Sequence, residues 1–90
     1  MAKIRISPSA LQKMKKDGRT YTLYLASRGG WGGIFVTPAV HAGVPLNEED
    51  FVKDEIEGIP FFIRKDLVDK SFEINWIGFW VFGNFNVIEM

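Results

Sequence analysis

Cysteine is absent from this sequence, and that one absence removes several chemistries together. Disulfides, thiolate nucleophiles, thiolate zinc sites and iron-sulfur clusters held on the chain's own thiolates all need the sulfur itself. Histidine is nearly absent as well, His41 being the only one. A metal site built here would lean on carboxylates, which discriminate poorly among transition metals. No run approaches the roughly 20 apolar residues that a membrane-spanning helix needs. Met1-Ala2-Lys3-Ile4-Arg5 does not begin the apolar stretch of about 7–15 residues of a secretory leader. The expected setting is the cytoplasm, away from membranes. Ser27, His41 and an acid can be written down as a triad, but no Gly-x-Ser-x-Gly elbow occurs, so an enzyme is not expected.

What remains is apolar, aromatic and electrically balanced. Ninety residues leave room for a single domain over 1–90. Hydrophobic residues at 47%, with 14% aromatics, are enough for one packed core of modest stability. Net charge is zero but unevenly spread: residues 1–40 hold seven basic side chains and one acid, and residues 41–90 hold four basic side chains and ten acids. Two readings of this stay open: a folded surface on which the two parts interleave, or a polar molecule that docks head to tail or on an acidic partner. Nucleic acid is not expected, because the basic residues are not interleaved with the aromatic ones as a base-stacking platform requires.

Along the chain, Lys3-Ile4-Arg5-Ile6 alternates as a short strand with one buried face. Ser7 can cap a helix that Pro8 begins, with Ala10, Leu11 and Met14 on one side, Lys15 and Lys16 near its negative end, and Gly18 as its stop. Thr20 to Ala26 reads as a strand facing inward with Tyr21, Leu23 and Leu25. Ser27-Arg28-Gly29-Gly30-Trp31-Gly32-Gly33 reads as a loop, since glycine in regular structure is entropically costly. Ile34 to Thr37 is a strand that Pro38, Gly43 and Pro45 interrupt. Phe51–Ile56 and Ile59–Arg64 flank Glu57-Gly58 as a hairpin. A helical turn carrying Leu67 and Val68 follows, then a strand from Ser71 to Ile77. The apolar tail Gly78 to Ile88 is either a core strand with a glycine bend or a partner surface.

Two places invite a chemical reading. The loop glycines Gly29, Gly30, Gly32 and Gly33 can form an anion-binding nest of backbone N–H groups, with Trp31 as an anchor for a partner; the alternative is a tight connection whose tryptophan folds back on the core. His41 with Glu48, Glu49 and Asp50 can be drawn as a carboxylate-rich metal site, or simply as a loop histidine beside a solvated acidic turn. Trp76, Phe79, Trp80, Phe82 and Phe85 are either a dense aromatic core or an interface. In the second case Trp80 and Phe82 contact a protein partner, most simply a second copy through sheet edges or an apolar groove.

Ile4-x-Ile6-Ser7-x-x-Ala10, Leu23-x-Leu25 before Gly29-Gly30-x-x-Gly33, Glu57-Gly58-Ile59, the Leu67 turn, Gly78-Phe79 and Asn84-x-Asn86-Val87 stand in an order that resembles the HesB-like domain of IscA-like, A-type iron-sulfur carriers. The resemblance covers nearly the whole chain. It implies a mostly β (α+β) fold, a pseudo-barrel of mixed, folded sheets with one N-terminal helix and a short second helical turn. Such carriers hold iron or a cluster with a cysteine in the glycine-rich loop and a Cys-Gly-Cys near the C-terminus, and short relatives can carry a cysteine pair at the loop. Here Trp31 stands about where the loop cysteine would fall, and the cysteine tail is missing. The expectation is a HesB-like, non-catalytic interaction module linked to iron-sulfur assembly, with no cofactor of its own. The alternative is a carrier that offers His41 and carboxylates while sulfur comes from elsewhere.

Overall fold

The computed structural model describes residues 3–79 and 82–90. It contains β1 (Lys3–Ile6), α1 (Pro8–Asp17), β2 (Tyr21–Gly30), β3 (Gly33–Ala42), β4 (Phe51–Ile56), β5 (Ile59–Arg64), β6 (Ser71–Phe79) and β7 (Phe82–Glu89), with 3-10 turns at Glu48–Asp50 and Lys65–Leu67. The strands form two mixed sheets, a three-stranded one in the order β1-β6-β7 and a four-stranded one in the order β3-β2-β5-β4. The fold is mostly β, with the helix near the N-terminus and the second helical turn where they were expected.

Local chemistry explains the helix and the central hairpin. Ser7 Oγ accepts from the Ala10 backbone N–H at 3.3 Å, Pro8 opens α1, and Gly18 donates its N–H to the Met14 carbonyl at 3.0 Å. Pro8 has no N–H to lose at this position, so it starts the helix without penalty. Glu57 and Gly58 both sit at positive φ, 56° and 82°, the geometry whose twist matches two flanking strands. β4 and β5 therefore pair from Phe51↔Arg64 to Ile56↔Ile59.

One core joins the two sheets. Ala10 and Met14 from α1, Tyr21 and Leu23 from β2, Ile59, Phe61 and Ile63 from β5, Leu67 from the second turn, and Phe72 and Ile74 from β6 pack as a single buried cluster. β5 is the strand most deeply enclosed, with Phe62 also buried on its opposite face. Truncating Phe61 or Phe72 to alanine would cost about 3–5 kcal/mol, a large part of the margin of a domain this size. The two charge-biased parts of the chain interleave in this packing: β2 pairs with β5, and β1 lies parallel to β6 with Arg5 beside Glu73, their side chains 3.9 Å apart.

Two expectations are corrected. The stretch Ser27–Gly33 is not a loop: β2 runs through Gly29 and Gly30, and β3 begins at Gly33, with Trp31 and Gly32 alone forming the turn. Antiparallel pairing carries the glycines in register despite their entropic cost, and Gly33, at φ 108°, takes a conformation other residues avoid. Nor does Pro38 end the strand. Antiparallel residues alternately point their backbone groups toward and away from a neighbour. Gly30 and Gly33 flank a two-residue turn and so face each other, and Gly43 N–H donates to the Thr20 carbonyl at 2.7 Å with the same alternation. Pro38, opposite Leu25, thus has its nitrogen turned away from β2, where no donor is required. The apolar tail also resolves: β6 extends to Phe79 and β7 returns along it, from Phe79↔Phe82 to Phe72↔Glu89.

Tyr21 carries a cost. Its ring is fully buried between Phe61 and Phe85, at 6.1 and 5.5 Å, and its hydroxyl finds no hydrogen-bond partner among the described residues. Burial raises its pKa, the nearby Asp17 charge raises it further, and Arg19 partly opposes this. In the unfolded chain tyrosine ionises near pH 10. Because the native value lies higher, the folding free energy tied to this group is intact below about pH 10 and is lost as pH rises through the native value. Tyr21→Phe is expected to remove this alkaline loss and to stabilise the protein by about 1 kcal/mol, about 4–8 °C in Tm, in thermal scans at pH 7 and pH 10.5.

Candidate functional site

The β2–β3 hairpin is ten residues long on each side, yet only its base is held by the core. β5 pairs with β2 at Tyr21, Thr22 and Leu23 and no further. Beyond that point the hairpin is a two-stranded arm. Residues Pro38 and Val40 of β3 and Leu25 of β2 are half-buried, whereas Ile34, Phe35 and Val36 are exposed at 81%, 56% and 55%. Alternation places Ile34 and Val36 on the same face as Leu23, Leu25 and Val40, so the apolar face of the core continues outward onto an uncovered arm. At its tip Trp31 is 108% exposed, free of contact with its own fold.

This arrangement matches neither reading of the glycine segment as a whole. A nest needs successive N–H groups that converge, and in a strand they diverge to opposite edges, so Gly29, Gly30 and Gly33 do not form one. Trp31 does not fold back on the core. The glycines instead make the last rungs of the arm thin, leaving the indole as the only bulky group at the turn.

The second hairpin, β6–β7, crosses near the base of β3. Trp76 and Phe85 stand opposite each other at 4.9 Å, Phe85 meets Tyr21 edge-on, and Lys13 Nζ lies 5.4 Å from the Trp76 ring centre while pairing with Asp17 at 3.4 Å. Together with Val40 and Ala42 they border an open cleft of about 650 Å³. Gly83, opposite Gly78, has no room for a side chain: a Cβ there would come 2.5 Å from the Ile77 carbonyl oxygen and 2.8 Å from the Trp76 ring. Of the C-terminal aromatics, Trp76 and Phe85 pack against the core. Phe82 is placed by its pairing with Phe79 at the end of β7. Trp80 lies outside the described residues. The Trp76–Gly83 contact and the place of Lys13 were not foreseen; the spacing of Gly78 and Gly83 about one turn was the available signal.

His41 sits on the outer face of the other sheet, exposed, its Nδ1 3.0 Å from the Ala42 carbonyl oxygen and its ring edge-on to Tyr24 at 5.0 Å. With Thr22, Val44, Pro45, Leu46 and Phe51 it borders an apolar shallow, while Asn47 donates to Asp50 across the acidic turn. Among the described residues no three of His, Asp and Glu come together as a metal site would require. Without a thiolate, and with its single imidazole isolated in this way, the donor set does not fit iron or an iron-sulfur cluster.

Two substitutions separate display from packing. Trp31→Ala is expected to leave stability within about 0.5 kcal/mol of the parent, because nothing in the fold touches the indole. Gly83→Ala, by contrast, should destabilise by about 1–3 kcal/mol through overpacking against Trp76 and the β6 backbone. Denaturant titration of both variants checks the pair.

The fold is shared with a solved structure, that of Escherichia coli SufA, described as involved in biosynthesis of iron-sulfur clusters: the TM-score is 0.61 with 13% sequence identity, over 96% of this chain and 79% of that one. No curated protein matches the chain in sequence. No helix among the described residues is long and apolar enough to cross a membrane. A family model does match, over residues 2–90, and by it this cysteine-free chain belongs to the CC/Se motif containing family.

Proposed function

We propose that this chain is a divergent HesB-like domain that works without a cluster of its own, as a non-catalytic protein-interaction module associated with iron-sulfur assembly in the cytoplasm. Trp31 is its principal contact. The observation that carries this reading is the fully exposed indole at the tip of the arm that the β2–β3 hairpin forms beyond Leu23. A tryptophan released from its own core and held on a short turn loses little entropy when a partner covers it, and such side chains dominate interface energetics.

Three further facts support it. The family is described by a CC/Se motif, and this member has no cysteine with which to make one. Trp31 stands about where the resemblance to A-type carriers would put the loop cysteine, so a residue that grips by sulfur is exchanged for one that grips by surface. The fold likeness to a protein of iron-sulfur cluster biosynthesis points to the setting in which that surface would act.

The test has two arms. Anaerobic incubation with iron and sulfide, without added thiol, is expected to leave the protein colourless and free of iron after desalting; a stoichiometric cluster overturns the reading. In the second arm, purified A-type carrier and scaffold proteins of cluster assembly are titrated against the chain by calorimetry. Binding that Trp31→Ala weakens at least about tenfold, a loss of 1.4 kcal/mol or more, supports it. Binding that the substitution leaves unchanged, or no binding at all, overturns it.

A further inference from the structure

The exposed arm has a backbone edge as well as a tip. Among the described residues β3 pairs with β2 alone, so its other side is open. The alternation established above fixes which groups lie there: Ile34 and Val36 direct N–H and C=O outward, whereas Phe35 directs its own toward Arg28 of β2. Pro38 occupies the next outward position and offers no N–H. Toward the base, Thr37 to Val40 are half-buried, and β7 lies close by. The open edge is therefore short, running from Gly33 to Thr37.

Its composition is unusual for an edge. Natural sheets guard exposed edges with charge, and β4, at the opposite side of the same sheet, does so with Lys53, Asp54 and Glu55. Gly33-Ile34-Phe35-Val36-Thr37 carries no charge and is rich in strand-forming residues. The outer edge of β2 in the arm is a poorer template, interrupted by Arg28, Gly29 and Gly30.

We propose that two copies of the chain join by antiparallel pairing of their β3 edges about a two-fold axis at Phe35. In that register Ile34 faces Val36 of the second copy and Val36 faces its Ile34, and each pair exchanges both backbone hydrogen bonds. Phe35 then stands opposite Phe35 of the second copy in the closer, non-hydrogen-bonded kind of pair, where aromatic side chains interact well. One rung further, the missing N–H of Pro38 stops the ladder, which fixes its length and register. A second copy fits better than a foreign strand because the segment is self-complementary: uncharged, it meets its own image without like-charge repulsion, and every outward donor finds an acceptor. The two four-stranded sheets become one continuous sheet with β4 at both ends. This pairing is independent of what Trp31 contacts.

Val36→Pro deletes an outward N–H and no bond of the hairpin, as Pro38 already does on the same edge. The parent is expected to sediment as twice the 10.3 kDa chain at about 100 μM, where even a micromolar interface is filled, and Val36→Pro as a single chain with unchanged circular dichroism. In this cysteine-free background Phe35→Cys should cross-link to itself under mild oxidation, since facing Cα atoms in such pairs lie about 4.5 Å apart, within disulfide reach. Thr37→Cys should not, because its counterpart would lie about 13 Å along the ladder. A parent that sediments as a single chain overturns the proposal. So does a dimer in which Phe35→Cys fails to cross-link or Val36→Pro leaves the mass doubled, and so does cross-linking of Thr37→Cys in preference to Phe35→Cys. A parent that is monomeric yet binds an unrelated strand peptide would assign the edge to a different occupant and equally overturns it.

Discussion

The long ladder between β2 and β3 is anchored at one end only, and most of what distinguishes this molecule follows from that. Tyr21 and Leu23 are locked by burial and by the parallel pairing of β2 with β5, which stops at Leu23. An isolated two-stranded ribbon is marginal in water. Rooted in a core, the same ribbon holds its register for its whole length, so the arm presents its turn and its edge without paying for them locally in packing. The alternation of backbone groups, set at Gly30 and Gly33 beside the turn, runs unbroken to Gly43. It accommodates Pro38 and decides which residues offer hydrogen bonds to the outside.

Chemistry and shape diverge in this fold. The architecture is shared with a protein of iron-sulfur cluster biosynthesis, and the family is described by a CC/Se motif. Yet the groups that would hold soft metal are missing, and His41 is spent against Tyr24 and the Ala42 carbonyl. What replaces them is apolar: an indole at the tip and Ile34, Phe35 and Val36 behind it. Such groups gain most when they are covered, and that is the physical ground of the association proposed for the arm. Phe85, edge-on to Tyr21, and Trp76, packed with it against the core, show that the other hairpin serves packing at the base of this arm.

The helix and the central hairpin were legible because their signals are local. Ser7, Pro8 and Gly18 cap one, and Glu57-Gly58 supplies the turn of the other, so neighbours within a few residues decide the outcome. The pattern of Tyr21, Leu23 and Leu25 marked a core face for the same reason. The arm is hidden in the sequence by its glycines, which alone argue for a loop; the pairing that overrides them comes from a strand that carries Pro38, itself a local strand-breaking signal. The carboxylates near His41 are close in sequence, yet among the described residues they do not gather with it into a group of three, since the turn at Glu48–Asp50 lies against β4 and the strand carrying His41 pairs with β2.

The sequence by itself determined what the protein cannot do with sulfur, the helix and the β4–β5 hairpin, and the part of the core made by Ala10, Met14, Tyr21, Leu23 and Leu67, because composition and short-range stereochemistry are complete in the chain. Only the tertiary structure decided that Trp31 stands free, that Gly29 and Gly30 are rungs of a ladder, and that the backbone of Ile34 and Val36 faces outward. Those depend on where β5 stops pairing with β2 and on which side of β3 is left open, and such long-range pairings are fixed by the assembled sheets and not by any residue's neighbours.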